Sequence, residues 1–157
     1  MIEKEYLANR VANANNTELV MIVYEGLIDT LEDSIDYINV GADKKLNTSL
    51  QKCREILAEL LSTLQGDSEV ASNLRSIYIY VNRLITEAEN NKDIEKLKLA
   101  IKVINPIYEG WKELSEKESK EPNAPASDGP KIVAGMTYGK GQLNDYVIDD
   151  EKEWQKG

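Results

Sequence analysis

Ile77-Tyr78-Ile79-Tyr80-Val81 is the stretch that decides the fold of this chain. On either side of it, Val70, Leu74, Ile77, Val81, Leu84 and Ala88 recur at alternating steps of four and three. That spacing lays one buried stripe along a helix and predicts a helix over residues 67 to 90. One stripe cannot use five apolar residues in a row. At about 100° per residue, Ile79 points away from the side that Ile77 and Val81 bury. The helix therefore has a main face for a core and apolar surface left over.

The helices around this one follow from the same periodicity. Upstream, Val20, Val23, Tyr24, Leu27, Leu31, Ser34, Ile35 and Ile38 predict a helix to about residue 40. Asn15 is a good N-cap for it, and Glu18 three residues on fits a capping box. Residues 19 to 24 are apolar all the way round, so something must cover them. Gly26 sits mid-helix, where it costs about 1 kcal/mol relative to Ala. It is either a tolerated imperfection or a place where another backbone comes close. Gly41 ends this helix, and Asp43 is placed to cap the next. Leu46, Leu50, Cys53, Leu57, Leu60 and Leu64 mark a helix to about residue 65, with Asp67 or Ser68 capping the one after. A last helix starts near Asp93 and carries Ile94, Leu97, Ala100, Ile101, Ile104, Tyr108, Trp111 and Leu114 on one side. Pro106 lies inside it and is expected to kink it.

Helices of similar length joined by short connections fold back on one another. The expected class is all-α: an antiparallel up-down-up-down four-helix bundle over residues 15 to 118, with a short N-terminal segment and an extended C-terminal tail. A long hairpin that dimerises is the competing architecture, disfavoured because all four helices differ in sequence. Residues 1 to 14 carry Tyr6, Leu7 and Val11 at near-helical spacing. They are either a frayed terminus or a lid over the start of the next helix. From residue 119 to 157 the composition changes. Three of the four prolines (Pro122, Pro125 and Pro130) cluster there, followed by a stretch with Gly135, Gly139 and Gly141. It reads as a flexible tail. Ile132, Val133, Met136, Tyr138, Leu143, Tyr146 and Val147 make it more apolar than a solubilising tail needs, which suits an arm docking on the bundle or on a partner.

Composition removes whole classes of function. The 157-residue chain has a formal charge of -9, which disfavours nucleic acid or an anionic membrane as a partner. No apolar run is long enough to span a bilayer, so no membrane insertion and a cytoplasmic location are expected. There is no histidine, the commonest general base and transition-metal ligand. Histidine-based triads and the Glu-x-x-His di-iron pairs of bundles are excluded with it. Gly139-Lys140-Gly141 lacks the context of a phosphate loop. Glu32, Asp33 and Asp36 fall on a solvated face. The lone Cys53 lies on an apolar stripe and reads as a buried, inert thiol. No catalytic residue, metal site or cofactor is expected, and the chain does not read as an enzyme.

The order of residues adds a resemblance. Tyr6-Leu7-Ala8-Asn9-Arg10-Val11, then Ala14, then Glu18-Leu19-Val20-Met21-Ile22-Val23-Tyr24-Glu25-Gly26-Leu27-Ile28 resembles the start of the flagellin-specific secretion chaperone FliS family. There a Tyr and a Val precede an Ala-Ser-Pro cap, then Leu-Val, then Tyr-Asp-Gly-Ala-Ile. Glu69-Val70-Ala71-Ser72-Asn73-Leu74, Tyr78, Tyr80, Arg83-Leu84 and Ala88 resemble the family's third-helix pattern, and Trp111 falls where the family has a Trp. Asn15-Asn16 replaces Ser-Pro, Glu25 replaces Asp, and Leu27 replaces Ala. The resemblance spans about residues 5 to 116.

It implies a cytoplasmic bundle that binds the C-terminal helical segment of flagellin, prevents premature polymerisation and delivers it to the flagellar type III export apparatus, with other flagellar regulators as further partners. On this reading Tyr24, Gly26 and Ile28 of the first long helix and Asn73, Tyr78, Ile79, Tyr80 and Arg83 of the third contribute to an apolar groove. Tyr6, Leu7 and Val11 form a lid that fills it when empty. For Tyr24 and Tyr78, plain core packing is an equal reading. The rival function is a self-associating helical scaffold or adaptor for another partner.

Overall fold

The computed structural model describes residues 4–120 of the chain. The expectations for 119–157 as a tail, including docking by residues 132 to 147, fall almost wholly outside the described residues. The described residues form five helices and no strand: α1 (Lys4–Asn13), α2 (Asn16–Val40), α3 (Asp43–Thr63), α4 (Glu69–Asn91) and α5 (Ile94–Lys120). The long helices α2 to α5 pack in a cycle, with α2 and α4 each lying against both α3 and α5. The short α1 packs on α2.

Helix ends obey local chemistry. Asn15 is extended, and its side chain accepts from the Glu18 N–H at 2.9 Å, which satisfies one of the orphan donors of α2. Gly41 closes α2 in the left-handed region at φ 71°, and the N–H groups of Gly41 and Ala42 return to the carbonyls of Ile38 and Tyr37. Glycine takes that conformation without a Cβ penalty. Ser68 caps α4 by accepting from the Ala71 N–H. The expected Asp43 cap does not form. Ala42 occupies the N-cap of α3, with no side-chain hydrogen bond, because the chain leaves Gly41 one residue too early for Asp43 to sit outside the helix. Helix α3 stops at Thr63, and Leu64 is already extended at φ −61° and ψ 132°.

Pro106 does not break α5. The helix runs from Ile94 through to Lys120, with Pro106 exposed. An exposed site leaves the carbonyl that loses its partner free to meet water, so the cost falls on stability rather than on continuity.

The core holds Leu19, Val20, Leu27 and Leu31 of α2, Leu46, Leu50, Cys53, Leu57 and Leu60 of α3, Leu74, Tyr78, Val81 and Leu84 of α4, and Leu97, Ala100 and Ile104 of α5. Each fully buried Leu contributes about 1.5–3 kcal/mol of transfer free energy. On α4 the buried stripe is rotated from the expected one. Tyr78 and Ile85 are fully buried, while Ile77 is half-buried and Val70 is exposed. A polar node joins α2 to α3 inside this core. Ser34 Oγ donates to the Thr30 carbonyl at 2.8 Å and lies 2.6 Å from Ser49 Oγ. Cys53 lies beside it, and burial pushes its thiol pKa up to about 12, so it stays protonated and inert at neutral pH.

The end of α5 is tied to the start of α2. One carboxylate oxygen of Glu118 accepts from Asn15 Nδ2 at 3.2 Å and the other from Thr17 Oγ1 at 3.0 Å. A carboxylate at a helix N-terminus also favours the helix dipole, by about 0.3–1 kcal/mol. No helix among the described residues is long and apolar enough to cross a membrane.

Candidate functional site

Helix α1 is amphipathic, and its apolar side faces the bundle. Leu7, Val11 and the following Ala14 are buried and join the hydrophobic core, while Glu5, Tyr6 and Asn9 face outward. This segment helps to cover the region of α2 that is apolar all round. Leu19, Val20, Ile22, Val23 and Tyr24 are all buried, and Met21 is half-buried.

A charged latch holds α1 down. Arg10 makes a two-pronged contact with Glu25 of α2, at 2.6 and 3.2 Å. Planar guanidinium and carboxylate groups match in such a pair, and its hydrogen bonds are charge-assisted. The hydrogen bond to Glu25 raises the Arg10 pKa above its ordinary value, against the opposing effect of partial burial. The Arg10 guanidinium also stands 5.6 Å from the ring centre of Tyr6. Close to this latch, burial raises the pKa of Asp29 and of the Tyr108 hydroxyl, and the Glu25 charge adds to both.

Tyr24 and Tyr78 do not present groove surface. Both are 0% exposed, their rings lie 6.3 Å apart at 49°, and their hydroxyls hydrogen-bond to each other across the bundle. The core reading of these two tyrosines therefore describes this form, and groove contact by them is corrected. Ile28 is buried as well. Gly26 is half-exposed, and a Cβ built there would meet nothing within 4 Å. No backbone approaches it, so its space is open.

The α4 residues lie elsewhere. Ile79 is 59% exposed, on the side opposite the core. Asn73 and Arg83 are exposed and Tyr80 is half-buried. The Arg83 guanidinium sits 5.3 Å from the Tyr80 ring centre and 3.6 Å from Glu87. The candidate residues thus separate into two surfaces. Tyr6, Leu7 and Val11 belong with Gly26 and Ile28 on the α1/α2 side. Asn73, Ile79, Tyr80 and Arg83 form a second group on α4, with Ile79 exposed. Tyr24 and Tyr78 connect the two sides through the core. The candidates expected to share one groove thus lie on two faces of the bundle.

Arg10, Glu25 and Tyr108 were absent from the sequence-based site. Arg10 and Glu25 pair across two helices with the Tyr108 hydroxyl of a third within reach of their charges, and no spacing rule relates positions 10, 25 and 108. The open space at Gly26 gives a direct test of its role. Gly26→Ala is expected to raise stability by about 1 kcal/mol, the helix-propensity gain without a clash. Thermal unfolding checks this, and a destabilised variant would show that the space is not open. Among the described residues no group of Cys, Asp and Glu is gathered so as to hold a metal ion.

The described residues, all helical and with a short amphipathic helix clasped on the second one, define a class of helical-bundle proteins. Comparison with known proteins makes this specific: the profile of the family described as Flagellar protein FliS matches residues 2–118, and the chain belongs to that family. A curated relative is the Flagellar secretion chaperone FliS of Bacillus subtilis (strain 168). The two are 24% identical over 116 residues, which cover 74% of this chain and 87% of the relative.

Proposed function

We propose that this chain is a flagellar export chaperone that binds the C-terminal helical segment of flagellin, keeps it from polymerising and hands it to the flagellar export apparatus. It acts in the cytoplasm and without catalysis. Family membership supports the flagellar setting. The observation that carries the binding mode is α1 itself: a ten-residue amphipathic helix already seated on α2 through Leu7 and Val11. A surface that accepts one apolar helical face can accept another of the same pattern. We read the four long helices as up-down-up-down, in keeping with the Thr17–Glu118 and Ser34–Ser49 contacts at opposite ends of α2.

On this reading α1 is a resident occupant that a flagellin helix replaces, and the Ile79 surface of α4 is a second contact. A chaperone that masks a polymerising helix needs wide apolar contact, because the guest loses chain entropy on ordering. Two separate surfaces would let one guest segment engage the bundle twice.

The test is a calorimetric titration with the flagellin C-terminal peptide, beside the same peptide with its apolar positions replaced by serine. Binding of the first alone supports the proposal, and equal behaviour of both overturns it in favour of a scaffold for some other partner. Ile79→Asp is expected to weaken binding about tenfold or more, equivalent to about 1.4 kcal/mol per tenfold. Its thermal midpoint should stay put, since the side chain is exposed. Unchanged affinity would remove α4 from the site.

A further inference from the structure

The outward face of α4 differs from the rest of this acidic molecule. Steps of three, four and seven from Ile79 reach Ser72, Arg75, Ser76, Asn82, Arg83 and Thr86, and none is a carboxylate. The chain as a whole carries -9. Arg83 engages Glu87 and Tyr80, but Arg75 has no carboxylate partner among the described residues. Its Nη2 instead donates to the Gly66 carbonyl at 3.4 Å, which places the guanidinium at the corner between α3 and α4.

Apolar surface continues from Ile79 onto α3. Arg54 of α3 and Glu89 of α4 pair at 2.7 Å. The two helices also meet at the Lys92–Asp43 pair, 3.4 Å apart, and the two pairs together bring Leu64 level with residues 71 to 79 of α4. Leu61 and Leu64 are half-buried, and Leu64 has extended backbone. Leu61, Leu64 and Ile79 offer apolar surface here, with Arg75 and Arg83 beside it on α4.

The chain carries a segment of complementary chemistry beyond the described residues. Asp145-Tyr146-Val147-Ile148-Asp149-Asp150-Glu151 is an apolar triplet with one carboxylate before it and three after. The other apolar stretch, Ile132-Val133-Ala134-Gly135-Met136, directly follows Lys131, has Asp128 as its nearest carboxylate and has none within the eight residues after it. Length permits the contact. From Lys120 back to the level of Ile79 is about 25 Å along α5, plus about one helix diameter of 10–12 Å across the bundle. Residues 121 to 144 can reach about 80 Å when extended.

We propose that residues 145–151 dock on the α3/α4 face at Leu61, Leu64 and Ile79, with their carboxylates against Arg75 and Arg83. Apolar contact supplies the hold and charge selects the segment. The tether makes the event intramolecular, so modest contact suffices. The proposal deepens the functional reading in one respect: Ile79 is also a proposed flagellin contact, so the docked segment would compete with the guest there. The docking itself does not depend on flagellin.

The test uses the full chain with a nitroxide label on Glu153→Cys; Cys53 is buried and stays unlabelled. Without flagellin, amide NMR signals of Leu61, Leu64, Arg75 and Ile79 are expected to fall below half intensity, and those of Gly41 and Lys92 to stay. Ile79→Asp or Arg75→Glu should restore the signals at least twofold, and Arg75→Glu combined with Asp149→Arg and Asp150→Arg should lose them again. Full signals on α3 and α4 in the parent chain, or losses that survive both single variants, overturn the proposal. So does signal loss arising only between mixed labelled and isotope-enriched chains, which would make a second copy the occupant. The flagellin reading fails separately, on the peptide titration.

Discussion

Tyr78→Ala is expected to destabilise the protein by about 3–5 kcal/mol, the range for truncating a buried aromatic side chain. Tyr78 is fully enclosed, and its ring and hydroxyl meet Tyr24 from the opposite side of the bundle. Removing it leaves a cavity that helices on several sides cannot collapse into together. It also strips the Tyr24 hydroxyl of one hydrogen-bond partner in a dry interior. A domain of this size holds only about 5–15 kcal/mol in total, so the variant sits near the edge of folding. Chemical denaturation with an unchanged slope would measure the loss. A loss under 1 kcal/mol would contradict the buried tyrosine pair and reopen Tyr78 as surface for a guest.

Deleting residues 1 to 12 should have the opposite signature. Leu7 and Val11 bury about 1.5–3 kcal/mol each. Ordering ten residues costs about 1 kcal/mol or more apiece, and so short a helix has little stability of its own. Gain and cost nearly offset, so bundle stability should move by no more than about 2 kcal/mol. Affinity for the flagellin C-terminal peptide should rise about tenfold, because the resident helix no longer competes for α2. Arg10→Ala, which opens the latch to Glu25 alone, should move affinity the same way by less. Unfolding of the truncated chain would make α1 a structural member rather than a lid. Unchanged affinity would place the guest elsewhere.

Much of the helical layout could be read from residue spacing. Asn15, Gly41 and Ser68 mark helix ends by local rules, and local rules survive folding. The exposure of Ile79 was legible for the same reason: a single stripe has no room for a fifth consecutive apolar residue. The orientation of the α4 stripe was less so. Tyr78 outcompetes Ile77 for the interior because its partner, Tyr24, waits on a helix that packs diagonally opposite. Asp43 misled because capping depends on where Gly41 releases the chain, a matter of one residue. The separation of the α1/α2 side from the Ile79 face depends on which helices become neighbours, and amphipathic stripes of equal strength do not encode that. Arg10 and Glu25 meet only because α1 turns back at Ala14.

The Glu118 carboxylate bears on how shortened forms of this protein are interpreted. It clamps the first turn of α2 through Asn15 and Thr17, right where α1 hands over to α2. A chain cut before residue 118 would loosen the root of the N-terminal helix from the far terminus. Its altered binding would then imitate loss of the tail while reporting a slackened hinge. Cuts after Lys120 keep the two effects apart.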